Sequence, residues 1–134
     1  MNYVEQLDKS KSKPYLFSYR RCPYAMRARM ALVESKIEFD IYEISLRNKP
    51  QEMLSISPKG TVPILRVNEL VLDESLEIMK WAYQNSKSNQ LNVLESDKQN
   101  TANKLIKIND GKFKDFLDCY KYFERYPNKS KQEH

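Results

Sequence analysis

Between residues 14 and 84 the spacing of apolar side chains switches repeatedly between the alternation of strands and the three-to-four-residue repeat of helices. The order of those switches restricts the fold more than any other feature. Tyr15-Leu-Phe-Ser-Tyr19 is a short, mostly apolar run suited to a buried strand. After Pro23, apolar residues recur at Met26, Met30, Val33 and Ile37, with Ala25, Ala28 and Leu32 beside them, which predicts a helix. Glu38–Ile44 is rich in strand formers, with Phe39 and Ile41 two apart. Pro50 suits the first turn of a short helix running to about Ile56. Val62–Val67 and Leu70–Leu72 read as two strands joined at Asn68-Glu69, a hairpin-length connection. Asp73-Glu-Ser75 then opens a helix with Leu76, Met79 and Tyr83 on one stripe.

The predicted order is β-α-β-α-β-β-α. Two parallel strands with a crossover helix, followed by a hairpin and a closing helix, make an α/β fold of the thioredoxin-like type. Around it the composition shifts. Residues 1–13 read as a flexible, Lys/Ser-rich lead-in. Residues 85–98 have linker composition, interrupted by Leu91, Val93 and Leu94. Residues 99–134 read as helical, and no internal repeat is present.

Scarce residues exclude several chemistries. The single His is His134, which disfavours a Ser-His-Asp triad, a Cys-His pair or a His-based zinc site. With glycine only at 60 and 111, no phosphate-cradling loop or dinucleotide fingerprint is written in the chain. Two cysteines far apart make neither a disulfide framework nor a Cys₄ metal site. No secretory signal or membrane-length apolar run is predicted, and with sparse Cys this points to a reducing cytoplasm. The net charge of +5 is spread among acids rather than gathered in a block, so it reads as a solvated surface and not a nucleic-acid interface.

Cys22 stands between a predicted strand and a predicted helix, in Tyr19-Arg-Arg-Cys-Pro-Tyr-Ala25. Pro23 at the first helical position puts Cys22 at the N-cap, where unpaired N–H groups and the helix dipole favour a thiolate. Arg20 and Arg21 add positive charge, and no His is required. The ordinary alternative is a small buried cysteine. Ala25 occupies the position of the second cysteine of a Cys-x-x-Cys pair, so the expected chemistry is monothiol, with an external thiol as second partner. Cys119, in Phe116-Leu-Asp-Cys-Tyr120, reads as a core or interface residue.

The stretch from Pro14 to Gln84 resembles the N-terminal domain of glutathione transferases, most closely the omega-like and bacterial members with a catalytic cysteine. The resemblance rests on Cys22-Pro-Tyr-Ala25 with Arg27 and Arg29, Leu46-Arg-Asn-Lys-Pro-Gln51, Ser57-Pro-Lys-Gly-Thr-Val-Pro-Ile64 and Asp73-Glu-Ser75, in the family's order and spacing. It implies that Cys22 is the catalytic thiol and that Tyr24 lines the same pocket. It implies further that Lys49 meets the glycine-end carboxylate of glutathione, and that Val62 pairs through its backbone with the ligand's cysteinyl unit. Pro63 would be the cis proline turning that backbone outward, with Glu74 and Ser75 holding the γ-glutamyl end. A short peptide with two carboxylates and one ammonium suits a backbone edge, a Lys, a helix N-terminus and a carboxylate. Read without the resemblance, Lys49 is also a solvated loop charge, Glu74 and Ser75 are also ordinary first-turn residues, and Pro63 is also a trans proline at a strand edge.

The resemblance implies a second, all-helical domain, and residues 99–134 are expected to form the beginning of it. A helix is predicted over 97–110, with Ala102, Leu105, Ile106 and Asn109 at helical spacing. Phe113, Phe116, Leu117, Tyr120 and Phe123 then form an aromatic stripe. Such a stripe calls for a partner surface, either on residues 14–84 or on a second copy of the chain as a homodimer. The expected function is glutathione-dependent thiol transfer through Cys22, with glutathione as co-substrate, a small electrophilic or disulfide acceptor, and no metal, nucleic acid or membrane. The alternative is a non-catalytic glutathione-binding or protein-interaction module.

Overall fold

The computed structural model describes residues 1–6, 12–87 and 96–126. The chain forms two compact units, Met1–Asn92 and Val93–His134. In the first, strand β1 spans Asn2–Tyr3, β2 Tyr15–Ser18, helix α1 Pro23–Glu34 and β3 Asp40–Glu43. Helix α2 follows at Gln51–Ile56, then β4 at Ile64–Val67, β5 at Leu70–Leu72 and α3 at Ser75–Gln84. The five strands form one sheet in the order β1-β3-β2-β4-β5. β2 runs parallel to β3, pairing Leu16 with Ile41, and antiparallel to β4, pairing Leu16 with Leu65. This is the thioredoxin-like α/β architecture that the order of periodicities predicts.

Strand alternation sends successive side chains to opposite sheet faces. Leu16, Ile41 and Leu65 go to one side, packed with Ala28, Ala31 and Leu32 of α1 and Ile78 and Ala82 of α3. Phe17 and Ile64 go to the other side, with Ile44 and Met53 of α2. A one-residue slip of β2 would exchange these two sets.

One sequence expectation is corrected, and the buried sides of two helices, which the sequence left open, are settled. The lead-in 1–13 is not wholly loose: Asn2 and Tyr3 pair in parallel with Asp40 and Ile41 and extend the sheet by one strand. Two-residue strands carry little local signal, and this one exists because the β3 edge accepts it. On α1 the buried side is Ala25, Ala28, Ala31 and Leu32, whereas Met26, Met30 and Val33 are exposed, Met30 at 71%. Both sets repeat at helical spacing, so periodicity could not choose between them; the small alanines are the side that faces the sheet and α3. On α3 the buried ridge is Ser75, Ile78 and Ala82, with Leu76, Met79 and Tyr83 half-buried on its flank.

Described residues of the polar stretch 85–98 lie at its two ends. Lys87 still donates its N–H to Ser35 O at 3.2 Å, and the next helix begins at Ser96. Leu91, Val93 and Leu94, the polar end 128–134 and residues 7–11 lie outside the described residues.

The second unit contains α4 (Ser96–Ile108), a wide turn at Asn109–Phe113, α5 (Lys114–Lys121) and a single 3₁₀ turn at Phe123–Arg125. Gly111, with φ −100° and ψ −109°, breaks the helical path inside the wide turn. The aromatic stripe lies beyond that break: Phe113, itself helical, leads into α5, Phe116 and Tyr120 lie on it, and only Phe123 is set apart, past the helix end at Tyr122 (φ −124°, ψ 40°). All four are exposed, Phe116 at 63%, while Leu117 and Cys119 are half-buried.

Candidate functional site

β2 ends at Ser18 and α1 begins at Pro23, leaving the turn Tyr19–Cys22, closed by the Cys22 N–H donating to Tyr19 O at 3.0 Å. Cys22 is the N-cap of α1, in extended conformation, and its side chain makes no capping bond. The thiol instead points across to the loop before β4, with Sγ 3.7 Å from the carbonyl oxygen of Val62. The Val62–Pro63 peptide is cis, Pro63 is buried and Val62 is half-buried.

The loop from Ser57 to Pro63 connects most of the other candidate residues. Gly60 adopts φ +65°, a conformation that L side chains rarely take, and a Cβ placed there would lie 3.2 Å from Leu54 Cδ2 and 3.5 Å from Lys49 Nζ. Exposed Lys49 therefore reaches this group of residues by lying over Gly60. Buried Ser57 donates to Asp73 Oδ2 at 2.9 Å, tying the start of the loop to the approach to α3. Lys59 bridges the same two segments, 2.5 Å from Glu74 Oε1 and 3.5 Å from Asp73 Oδ2. The hydrogen bond to Glu74, helped by the two negative charges, raises the Lys59 amine above its ordinary value.

Glu74 is the N-cap residue of α3 and exposes its side chain; Ser75 is buried at the first helical position. Ser75 Oγ accepts from Arg27 Nε at 2.9 Å, and the Arg27 guanidinium also lies 5.1 Å from the centre of the Tyr24 ring. Tyr24 and Ser75 are thus linked through Arg27. Cys22 and Val62 meet directly, and Lys49 and Glu74 are joined to Val62 through the 57–63 loop.

Sequence reasoning missed the side chains that hold this arrangement. The guanidinium on the turn is that of Arg29, six positions into α1, rather than that of exposed Arg20 or Arg21. Arg29 donates to Ser18 Oγ at 2.6 Å, to Tyr19 O at 3.4 Å and to Arg20 O at 3.1 Å. Glu43, at the end of β3, accepts the Arg20 N–H at 2.6 Å. The available signal was the pair Arg27 and Arg29 on an otherwise apolar helix, a spacing that does not reveal the partners. Among the described residues no group of three or more His, Cys, Asp or Glu is placed to hold a metal ion, and no helix is long and apolar enough to cross a membrane.

Residues 16–90 match the family model described as glutathione S-transferase, N-terminal domain. A probable glutathione transferase of Aplysia californica is 37% identical over 57 residues, covering 42% of this chain and 62% of that protein. Glutathione S-transferase omega-2 of Homo sapiens is 35% identical over 57 residues, covering 42% of this chain and 24% of that protein. The solved structure of glutathione transferase Omega 1C from Trametes versicolor superposes with a TM-score of 0.68 at 25% identity, over 81% of this chain and 51% of that one. Each match covers less than two thirds of the relative's length.

Proposed function

Because the chain belongs to the glutathione S-transferase family through its N-terminal domain, we propose that it is a glutathione-dependent thioltransferase whose attacking group is Cys22. The observation that carries this reading is the position of Cys22: N-cap of α1, with Sγ 3.7 Å from the carbonyl oxygen of Val62. A peptide laid along Val62 as an added strand would exchange backbone hydrogen bonds with it. Its own side chain would then come close to the Cys22 sulfur. Glutathione is such a peptide.

In the proposed reaction the Cys22 thiolate attacks the glutathionyl sulfur of a mixed disulfide. The old S–S bond breaks, the acceptor leaves as a thiolate and takes a proton from solvent, and Cys22 becomes glutathionylated. The thiolate of a second glutathione attacks the glutathionyl sulfur, releasing oxidised glutathione and restoring the Cys22 thiolate. Each turn consumes one glutathione, whose sulfur pairs with the glutathionyl group that the mixed disulfide brought in, so that the acceptor leaves as a thiol. Ala25 leaves no neighbouring thiol to complete the cycle internally.

The residues around Cys22 have proposed roles in the same reading. Val62 pairs with the cysteinyl unit and Pro63 orients that stretch. Tyr24 lines the pocket, Lys49 meets the glycine carboxylate, and Glu74 and Ser75 receive the γ-glutamyl end. A reducing compartment such as the cytoplasm suits a thiol that must stay reduced.

The test is the intact mass of the native chain and of Cys22→Ala after incubation with oxidised glutathione. One added glutathionyl group on the native chain and none on the variant is the expected result. Equal addition to both, or to neither, overturns the proposal. A second reading, an interaction module, is favoured by the exposed Phe113, Phe116 and Tyr120 of the second unit. It becomes the better account if Cys22 proves unreactive.

A further inference from the structure

The turn that carries Cys22 is gripped from both sides by charged side chains of other elements. Arg29 reaches back from α1 to Ser18 Oγ, Tyr19 O and Arg20 O. From β3, Glu43 Oε1 takes the Arg20 N–H at 2.6 Å. Both hydrogen-bonding groups of the Arg20 backbone are thus held by ionic partners, and such bonds are about twice as strong as neutral ones. The grip has a firm base. Ser18 is buried, lies opposite Glu43 in the parallel register and accepts the Ile44 N–H on its carbonyl at 2.8 Å.

Glu43 also carries a cost. Its second oxygen, Oε2, is buried and has no hydrogen-bond partner among the described residues. A buried carboxylate oxygen without a hydrogen bond is unfavourable, because the loss of its hydration is not offset. A neutral strand-forming residue at this position would avoid that cost but leave the Arg20 N–H without its acceptor. The fold therefore keeps an expensive group on the N–H of Arg20, two residues before a thiol that already has a defined direction, toward Val62.

We propose that Glu43 and Arg29 are positioning residues for Cys22, holding the Tyr19–Cys22 turn so that the sulfur stands at the α1 N-terminus facing Val62. Glu43 acts by accepting the Arg20 N–H, and Arg29 by donating to the carbonyls of Tyr19 and Arg20. The proposal rests on the reading of Cys22 as the attacking thiol. Thiol–disulfide exchange depends on access and on the approach to one sulfur, and a displacement of about 1 Å at a reacting group can lower a rate on the order of a hundredfold.

The test measures the rate of mixed-disulfide formation at Cys22, in the full chain carrying Cys119→Ser, with oxidised glutathione and with hydroxyethyl disulfide. Glu43→Ala is expected to slow both reactions by about tenfold or more. Glu43→Gln keeps a carbonyl oxygen for the Arg20 N–H and is expected to stay within about twofold of the parent. Arg29→Lys loses the forked contact and is expected to slow both reactions while unfolding near the parent's midpoint; it carries the test if Glu43→Ala does not fold. The proposal is overturned if Glu43→Gln is as slow as Glu43→Ala, since charge rather than the acceptor would then be acting. It is equally overturned if Arg29→Lys and Glu43→Ala both react at the parent rate. A parent that reacts with hydroxyethyl disulfide but not with oxidised glutathione defeats the glutathione reading alone, and the hydroxyethyl disulfide rates still decide the roles of Glu43 and Arg29. A parent that reacts with neither defeats both.

Discussion

On Glu74 an ammonium is already in place: that of Lys59, at 2.5 Å. If Glu74 receives the γ-glutamyl ammonium of glutathione, ligand binding exchanges one ammonium for another on the same carboxylate. An exposed ion pair is worth about 0–1 kcal/mol, so Lys59→Gln is expected to tighten glutathione binding by up to about fivefold, measured by calorimetric titration. A weakened binding would mean that Lys59 itself contacts the ligand. The sign of the pH dependence follows from the raised amine. Its contribution to folding is complete below the ordinary value of 10.5 and is lost as pH rises through the higher folded value, so neutral conditions leave the pair intact. At this scale Cys22 was legible because an N-cap is a local property of a strand end followed by Pro. Arg29, Glu43 and Lys59 were not legible, because their partners lie 9 to 23 positions away along the chain.

Element ends show where a local rule is satisfied by an awkward residue. α1 stops in a Schellman arrangement: the Ile37 N–H donates to Leu32 O at 3.1 Å and the Lys36 N–H to Val33 O at 2.9 Å. This geometry places Lys36 at φ +55°, where a side chain is disfavoured and glycine is the usual occupant. Lys36→Gly is expected to raise the stability of the first unit by about 0.5–1 kcal/mol, read as a higher midpoint in urea unfolding. A lower midpoint would show that the lysine side chain contributes more than its backbone strain costs. The same helix shows the limit of periodicity. A stripe of Met26, Met30 and Val33 and a stripe of Ala25, Ala28 and Ala31 are equally regular, and the larger side chains look like the better core. The alanines are buried because α1 lies against both the sheet and α3, where small residues fill the available space.

At the scale of the whole chain, the proposed chemistry belongs to the first unit and the exposed aromatics to the second. Phe116 at 63% exposure, with Phe113 and Tyr120, makes an apolar face on an amphipathic helix. Replacing all three with Ser is expected to leave glutathionylation of Cys22 within about twofold of the native rate, because none of them belongs to the proposed site. If these residues mediate self-association, the same variant shows a smaller assembly in sedimentation velocity. A native chain already monomeric at high concentration would remove self-association as the reason for that face.

The sequence alone determined the element order from Tyr15 to Gln84, the Asn68-Glu69 hairpin, the α1 N-cap at Cys22 and the placing of Ala25, not a second cysteine, three residues after it. Each depends on residues a few positions apart, where strand and helix periods, proline geometry and capping act through the local backbone. Tertiary structure decided which side of α1 is buried and that Asn2–Tyr3 pairs with Asp40–Ile41. It also decided that Arg29 and Glu43 hold the turn before Cys22, and that Lys59 sits on Glu74. The physical reason is shared. These outcomes depend on which surfaces meet once the sheet has formed, and a charged or apolar residue carries no mark in the chain of the distant group it will meet.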